Sequence, residues 1–136
     1  MSFTFPNGSQ IILLGLDEET KLLSLANISA CWVEEAYEVP QNMVEQLNLR
    51  MRGKAANQQI WLSWNPISKN SYLYDFTVAN PPDNSIFIHS TFRDNPFLNQ
   101  EYIDSLLELY ERNPQKARVF CDGEWGVDVD GLVFRN

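Results

Sequence analysis

The chain has 136 residues, 44% of them hydrophobic and 12% aromatic, which is enough for the core of one domain and too apolar for a disordered tail. Its 10 Lys and Arg against 18 Asp and Glu give a net charge of -8, which excludes nucleic-acid binding by the whole surface and confines any such contact to a local basic patch. A charged-then-apolar leader and an unbroken apolar span of about 20 residues are both missing, so nothing in the sequence directs the chain to secretion or into a membrane.

Phe3-Thr4-Phe5 and Gln10-Ile11-Ile12-Leu13-Leu14 flank Pro6-Asn7-Gly8-Ser9, and an Asn-Gly turn between two strand formers predicts a hairpin. Asp17 to Lys21 is polar and reads as a loop or helix start, with one helical turn over Leu22 to Ala26. Ile28 to Val33 follows as a strand apolar on both faces, as in the centre of a covered sheet. Pro40 suits a helix start, and Val44, Leu47 and Met51 recur at spacings of three and four to give one apolar stripe, with Gly53 as the stop.

Gln59 to Trp64 predicts the next strand, stopped by Asn65-Pro66, and Ser71 to Val78 a further short element. Asn80 to Asn84 is a loop by composition, after which Ile86 to Thr91 resumes the sheet. Asn99 can cap a helix with Ile103, Leu106, Leu107 and Tyr110 on one face and a Glu108/Arg112 pair outside. Asn113-Pro114 stops it and opens a shorter helix through Arg118, and the turn-rich tail ends in a strand at Leu132 to Phe134. Strands alternating with helices imply an α/β fold with a mainly parallel sheet flanked by helices, entered through an N-terminal hairpin.

The chemistry concentrates at Glu34-Glu35, two adjacent acids at the C-terminal tip of the Ile28–Val33 strand. P-loop ATPases hold Mg²⁺ and aim an attacking water with acids at such a tip. Side chains alternate on a strand, so Glu34 can face a metal while Glu35 orients or deprotonates a water. The same acids, with Glu38, also fit the acidic first turn of a solvated helix. Ser63-Trp64-Asn65 would exit at the same sheet edge, where a hydroxyl or amide can sense a γ-phosphate, although Asn-Pro is also an ordinary turn.

Arg50, Arg52 and Lys54 form the one basic cluster, either a cation-favouring helix end or a phosphate or DNA contact. Arg93 sits in a capped turn and could meet phosphate. His89, the only histidine, reads as a hydrogen-bonded core or edge residue. Asp122, Glu124, Asp128 and Asp130 could be taken for a nuclease metal site, though they complete no calcium-loop pattern and better suit a solvated, turn-rich segment. Cys31 and Cys121 have neither metal-ligand nor disulfide-framework spacing and read as buried, reduced thiols. Trp32, Trp61, Trp64 and Trp125 are expected at core and edge positions. No G-x-x-x-x-G-K-[ST] loop occurs, and Gly53-Lys54 is followed by Ala55.

In order along the chain, Phe5-Pro6-Asn7-Gly8-Ser9, Gly15-Leu16-Asp17-Glu18, Trp32-Val33-Glu34-Glu35-Ala36, Leu49-Arg50-Met51-Arg52, Ser63-Trp64-Asn65-Pro66, His89-Ser90-Thr91 with Asp94-Asn95, and Gly123-Glu124-Trp125-Gly126 together resemble the large terminase subunit of tailed phages, in its PBSX-type branch. The resemblance implies a partial P-loop NTPase domain of the ASCE-like kind over 1–136, with residues from about 121 to 136 opening a linker toward a nuclease domain. It implies an ATP-driven DNA-packaging motor in the cytoplasm of a bacterial host, using Mg²⁺ and ATP in the intact enzyme. Double-stranded DNA, the portal and the small terminase subunit are its implied partners. Glu34-Glu35 would be the Walker B pair, with Glu34 on the metal and Glu35 catalytic, and Ser63 to Asn65 the coupling motif.

Each phosphate contact of a Walker A loop contributes ~1.5–3 kcal/mol, so without that loop neither nucleotide nor Mg²⁺ is expected to bind this chain tightly, and little ATPase activity is expected. Exposed sheet edge favours self-association. A non-catalytic α/β interaction module and a metal-dependent nuclease are the alternative readings.

Overall fold

A computed structural model describes residues 1–15, 22, 25–52 and 57–126. The expectations for Asp17 to Lys21, for most of the turn at Leu22 to Ala26, for Gly53 and Lys54, and for Asp128, Asp130 and the Leu132 to Phe134 strand lie outside them. The chain divides into two compact units, Met1–Ser63 and Trp64–Asn136. Its described elements make a mixed α/β structure with two small sheets, one of them parallel.

The first unit opens with the expected hairpin. β1 (Ser2–Thr4) and β2 (Gln10–Ile12) pair antiparallel, with Phe3 opposite Ile11. Gly8 takes φ 84°, a conformation that costs other residues about 1–2 kcal/mol, and the Asn7 carboxamide accepts from Ser9 N at 3.0 Å to fix the turn.

β3 (Ala30–Val33) and β4 (Gln59–Leu62) pair in parallel, with Val33 opposite Leu62 and Trp32 opposite Trp61. Parallel neighbours need a crossover, and α1 (Gln41–Arg50) lies between them in sequence, as in a β-α-β unit. Pro40 holds the N-cap position, and Met43, Val44 and Leu47 are buried, the last at 2% exposure. With Leu22, Val33, Ala36 and Val39 they are the buried apolar groups of this unit among the described residues.

The β3 strand departs from the expectation in one respect. Val33 is buried at 3%, but Trp32 is 68% exposed and Trp61 50%, so the face carrying both indoles is open. The two-faced apolar pattern predicts cover on both sides, and among the described residues only the Val33 side is covered. Neither indole fills the core.

In the second unit, α2 (Tyr72–Tyr74) is capped by the Ser71 hydroxyl and runs into a π-helical turn at Asp75–Ala79, giving the short element expected between Ser71 and Val78. The strand expected at Ile86 to Thr91 does not form: the segment is irregular, with Ile86 89% and Ile88 74% exposed. A strand exists only through a ladder, and among the described residues none is offered to this segment; Phe87 stacks on Trp64 instead, with ring centroids 5.9 Å apart.

α3 (Gln100–Arg112) begins at Asn99, whose side chain accepts from Tyr102 N, and carries the Glu108–Arg112 pair at 2.8 Å on its exposed face. α4 (Pro114–Phe120) starts from the Asn113 cap with Pro114 in its first turn, where a missing N–H costs nothing. Among the described residues no helix is long and apolar enough to cross a membrane.

Candidate functional site

The parallel pairing brings the C-terminal ends of β3 and β4 together. Ser63 N donates to Val33 O at 3.0 Å and Ala36 N donates to Ser63 O at 2.9 Å, so the ladder continues past both strands. Glu34 and Glu35 form the turn directly after β3, ahead of a 3₁₀ helix at Ala36–Glu38. Both acids are exposed.

Glu34 is fixed by two donors. The Ser63 hydroxyl lies 2.7 Å from Glu34 Oε2, and the Trp32 indole N–H donates to the same oxygen at 2.8 Å. The Ser63 hydrogen bond, and after it that of Trp32, holds the Glu34 carboxyl below the usual carboxylate range, because both stabilise the anion. A pinned, ionised and accessible carboxylate is a hard oxygen donor of the kind Mg²⁺ takes, with water and phosphate completing its shell.

Glu35 takes φ 51° and ψ 48°, a left-handed conformation that is uncommon for a residue with a side chain. It occupies the N-cap position of the 3₁₀ helix without a side-chain cap bond. That conformation directs the chain sharply from strand to helix between two buried residues, Val33 and Ala36.

Of the other residues singled out from sequence, Arg50 is the last residue of α1, a helix about 15 Å long that starts after the acid turn, and Arg52 follows the Met51 C-cap. Arg52 Nε donates to Leu49 O at 2.6 Å, which satisfies a terminal helix carbonyl. Trp64 and Asn65 open the second unit, where Asn65 O accepts from Ile67 N at 2.9 Å.

Arg93 belongs to a cluster of the second unit. It sits in a 3₁₀ turn, Phe92–Asp94, closed by a capping box between Thr91 and Asp94. Arg93 donates to Asp122 Oδ1 at 2.8 Å and to the Tyr110 hydroxyl at 2.9 Å, and Tyr110 donates to Asp122 Oδ1 at 2.5 Å. Tyr110, then Arg93, holds the Asp122 carboxyl below its ordinary range. His89 Nε2 lies 2.9 Å from Asp122 O, and since a carbonyl only accepts, that nitrogen carries the hydrogen.

Asp122 is thus engaged by a cation and a phenol, and Glu124 is exposed. Among the described residues no group of three or more His, Cys, Asp or Glu is placed to hold a metal ion. Asp128 and Asp130 lie outside them.

The Gly123–Gly126 stretch has a structural explanation. Gly123 takes φ 65°, and a Cβ there would run into the His89 ring; one at Gly126 would run into the Ile67 carbonyl oxygen. Gly126 N donates to Pro66 O at 3.1 Å, and Lys69 N donates to Gly126 O at 3.2 Å. Cys31 and Cys121 are free thiols, both pushed up in pKa chiefly by burial.

Two residues that hold these carboxylates, Trp32 on Glu34 and Tyr110 on Asp122, are missed by the sequence reading. Trp32 stands two residues before Glu34, the spacing that places side chains on one face of a strand, so its role was available from alternation alone. Tyr110 is read only as part of an apolar face, and its partners lie 12 and 17 residues away, a separation that local pattern cannot bridge.

This arrangement, with paired acids beside a serine at the tip of a parallel strand pair, accompanies a match of residues 1–124 to the family model of the phage terminase large subunit. The chain belongs to that family. It is 27% identical over 147 aligned residues to the PBSX phage terminase large subunit of Bacillus subtilis (strain 168), covering 94% of this chain and 34% of that protein. It is 30% identical over 124 residues to the terminase large subunit of Bacillus phage SPP1, covering 83% of this chain and 29% of that protein. The chain therefore spans about a third of the length of these relatives.

Proposed function

We propose that this chain is the part of a terminase large subunit, the ATP-driven motor that packages DNA, that carries the Walker B acids and the coupling motif within a P-loop NTPase fold. The observation that carries the proposal is the 2.7 Å contact between Ser63 and Glu34, made at the C-terminal ends of two parallel strands. There Glu34 is the metal-side acid, and Glu35 orients or deprotonates the water that attacks the γ-phosphate. Ser63, Trp64 and Asn65 form the coupling motif that senses whether the γ-phosphate is present. Arg50, Arg52 and Arg93 are the cations offered to phosphate or DNA.

Mg²⁺, bound with ATP in the intact enzyme, would neutralise the charge that develops on the phosphates, and Glu34 would offer it Oε1, which accepts no hydrogen bond among the described residues. Double-stranded DNA, the portal and the small terminase subunit are the proposed partners, in the cytoplasm of a bacterial host. Among the described residues the β3–β4 pair has no further strand on either edge and its indole face is open, which suits further strands of the same motor or a second copy.

The test is complementation. The 136-residue chain contains no Walker A loop and by itself hydrolyses little or no ATP. Mixed with a P-loop-bearing segment of a terminase large subunit, it gains magnesium-dependent hydrolysis that Glu35→Gln abolishes. Robust turnover without that segment, or complemented turnover indifferent to Glu35→Gln, overturns the assignment and favours a non-catalytic interaction module.

A further inference from the structure

Trp32 has no part in the acid-and-sensor scheme above, yet it makes the second bond to the metal-side acid. Its Nε1 lies 2.8 Å from Glu34 Oε2 and 3.2 Å from Ser63 Oγ. Among the described residues both donors to Glu34 end on Oε2 and none on Oε1. The indole is itself fixed: it stacks on Trp61 with ring centroids 6.5 Å apart and planes 16° from parallel, at directly opposed positions of the two strands.

We infer that Trp32 is a positioning residue, one whose indole, together with Ser63, clamps Glu34 through Oε2 and leaves Oε1 for a divalent cation. The inference rests on the reading of Glu34 as the metal-side acid. A tryptophan suits the task chemically. Its N–H only donates, in a fixed direction, whereas a hydroxyl can rotate and turn acceptor. It is also neutral, so the carboxylate keeps its whole charge for a cation; a lysine or arginine in the same place would neutralise Glu34 and repel the metal. The stack on Trp61 then ties the acid to both strands, so Glu34 holds one orientation only while β3 and β4 keep their register.

The experiment uses the whole ¹⁵N-labelled chain, whose 4 tryptophans give that many indole N–H resonances. The Trp32 signal is the one lost in Trp32→Phe, which keeps an aromatic ring against Trp61. In the native chain it should lie downfield of an exposed indole, move to the exposed position in Glu34→Ala with several-fold faster hydrogen exchange, and move less in Ser63→Ala. A Trp32 resonance at the exposed-indole position, or one unmoved by Glu34→Ala, overturns the clamp. Millimolar Mn²⁺ should broaden this resonance in the native chain and leave it sharp in Glu34→Ala. Absence of native broadening overturns the metal-side reading of Glu34, and the hydrogen-bond data then decide the clamp separately.

Discussion

Arg93 and Asp122 meet at 2.8 Å although 29 residues separate them, and their ion pair joins the turn before α3 to the turn after α4. Tyr110 completes it from within α3, donating to Asp122 while accepting from Arg93. The cluster gives the second unit a long-range tie that its irregular 80–91 segment, with few backbone bonds of its own, cannot supply.

A pH dependence follows from the depressed Asp122 carboxyl. A group whose folded pKa lies below its unfolded value stabilises the fold above the unfolded value, 3.8 for an aspartate, and the contribution is lost as pH falls through the folded one. Thermal unfolding of the native chain should therefore steepen on acidification below that point. Asp122→Asn should show the shallower slope, and Tyr110→Phe an intermediate one, since Arg93 still holds the carboxylate. Equal slopes for native and Asp122→Asn proteins would show that the tie contributes nothing.

Gly126 and Gly8 separate steric from conformational demand. A methyl group at Gly126 meets the Ile67 carbonyl oxygen and must displace backbone that also bonds Pro66 and Lys69, whereas at Gly8 it meets open space at φ 84°. Urea unfolding should show Gly126→Ala destabilised by about 2–3 kcal/mol. Gly8→Ala should lose only about 1 kcal/mol, the cost of a left-handed residue with a Cβ. Similar losses at both sites would contradict the packing described for Gly126.

Much of this was legible in the residues. Asn-Gly between strand formers gives the hairpin, and the Asn99 and Asn113 caps give both C-terminal helices, because these signals act within a few residues of where they sit. The parallel pairing of β3 with β4 also follows, from two apolar runs with a helix between them. What failed was Ile86 to Thr91, where an apolar composition promises a strand but the ladder must come from elsewhere. The open face carrying Trp32 and Trp61 was missed for a related reason: side-chain chemistry shows that a face is fit to be covered, not what covers it. Within the site, the acid turn and its serine could be read from sequence, but the left-handed Glu35 could not, since nothing in Glu-Glu-Ala calls for positive φ.

Glu34 carries a pH signature distinct from that of Asp122, because its partners lie in the other unit. Its folded carboxyl is depressed first by Ser63 and then by Trp32, so its stabilising effect holds above the ordinary glutamate value of 4.5 and fades as pH falls through the folded one. Following the Glu34 side-chain carbon by NMR, Ser63→Ala should raise the titration midpoint more than Trp32→Phe does. The double substitution should bring it near the ordinary value. A midpoint unchanged by Ser63→Ala would remove the contact on which the ATPase reading rests.

The left-handed Glu35 is where stability and function should oppose each other. A side chain at φ 51° is disfavoured, and glycine relieves that strain while giving up some entropy to the unfolded chain, for a net stabilisation of ~1 kcal/mol. Glu35→Gly should therefore unfold at higher urea than the native chain, while Glu35→Gln, which keeps the Cβ, should not. In the complemented ATPase assay both should be inactive, since both remove the carboxylate. Strain retained at an acid the reaction needs would then explain why the turn holds a glutamate where the backbone favours glycine. If Glu35→Gly gains no stability over Glu35→Gln, the turn imposes no cost on a side chain, and its geometry says nothing about function.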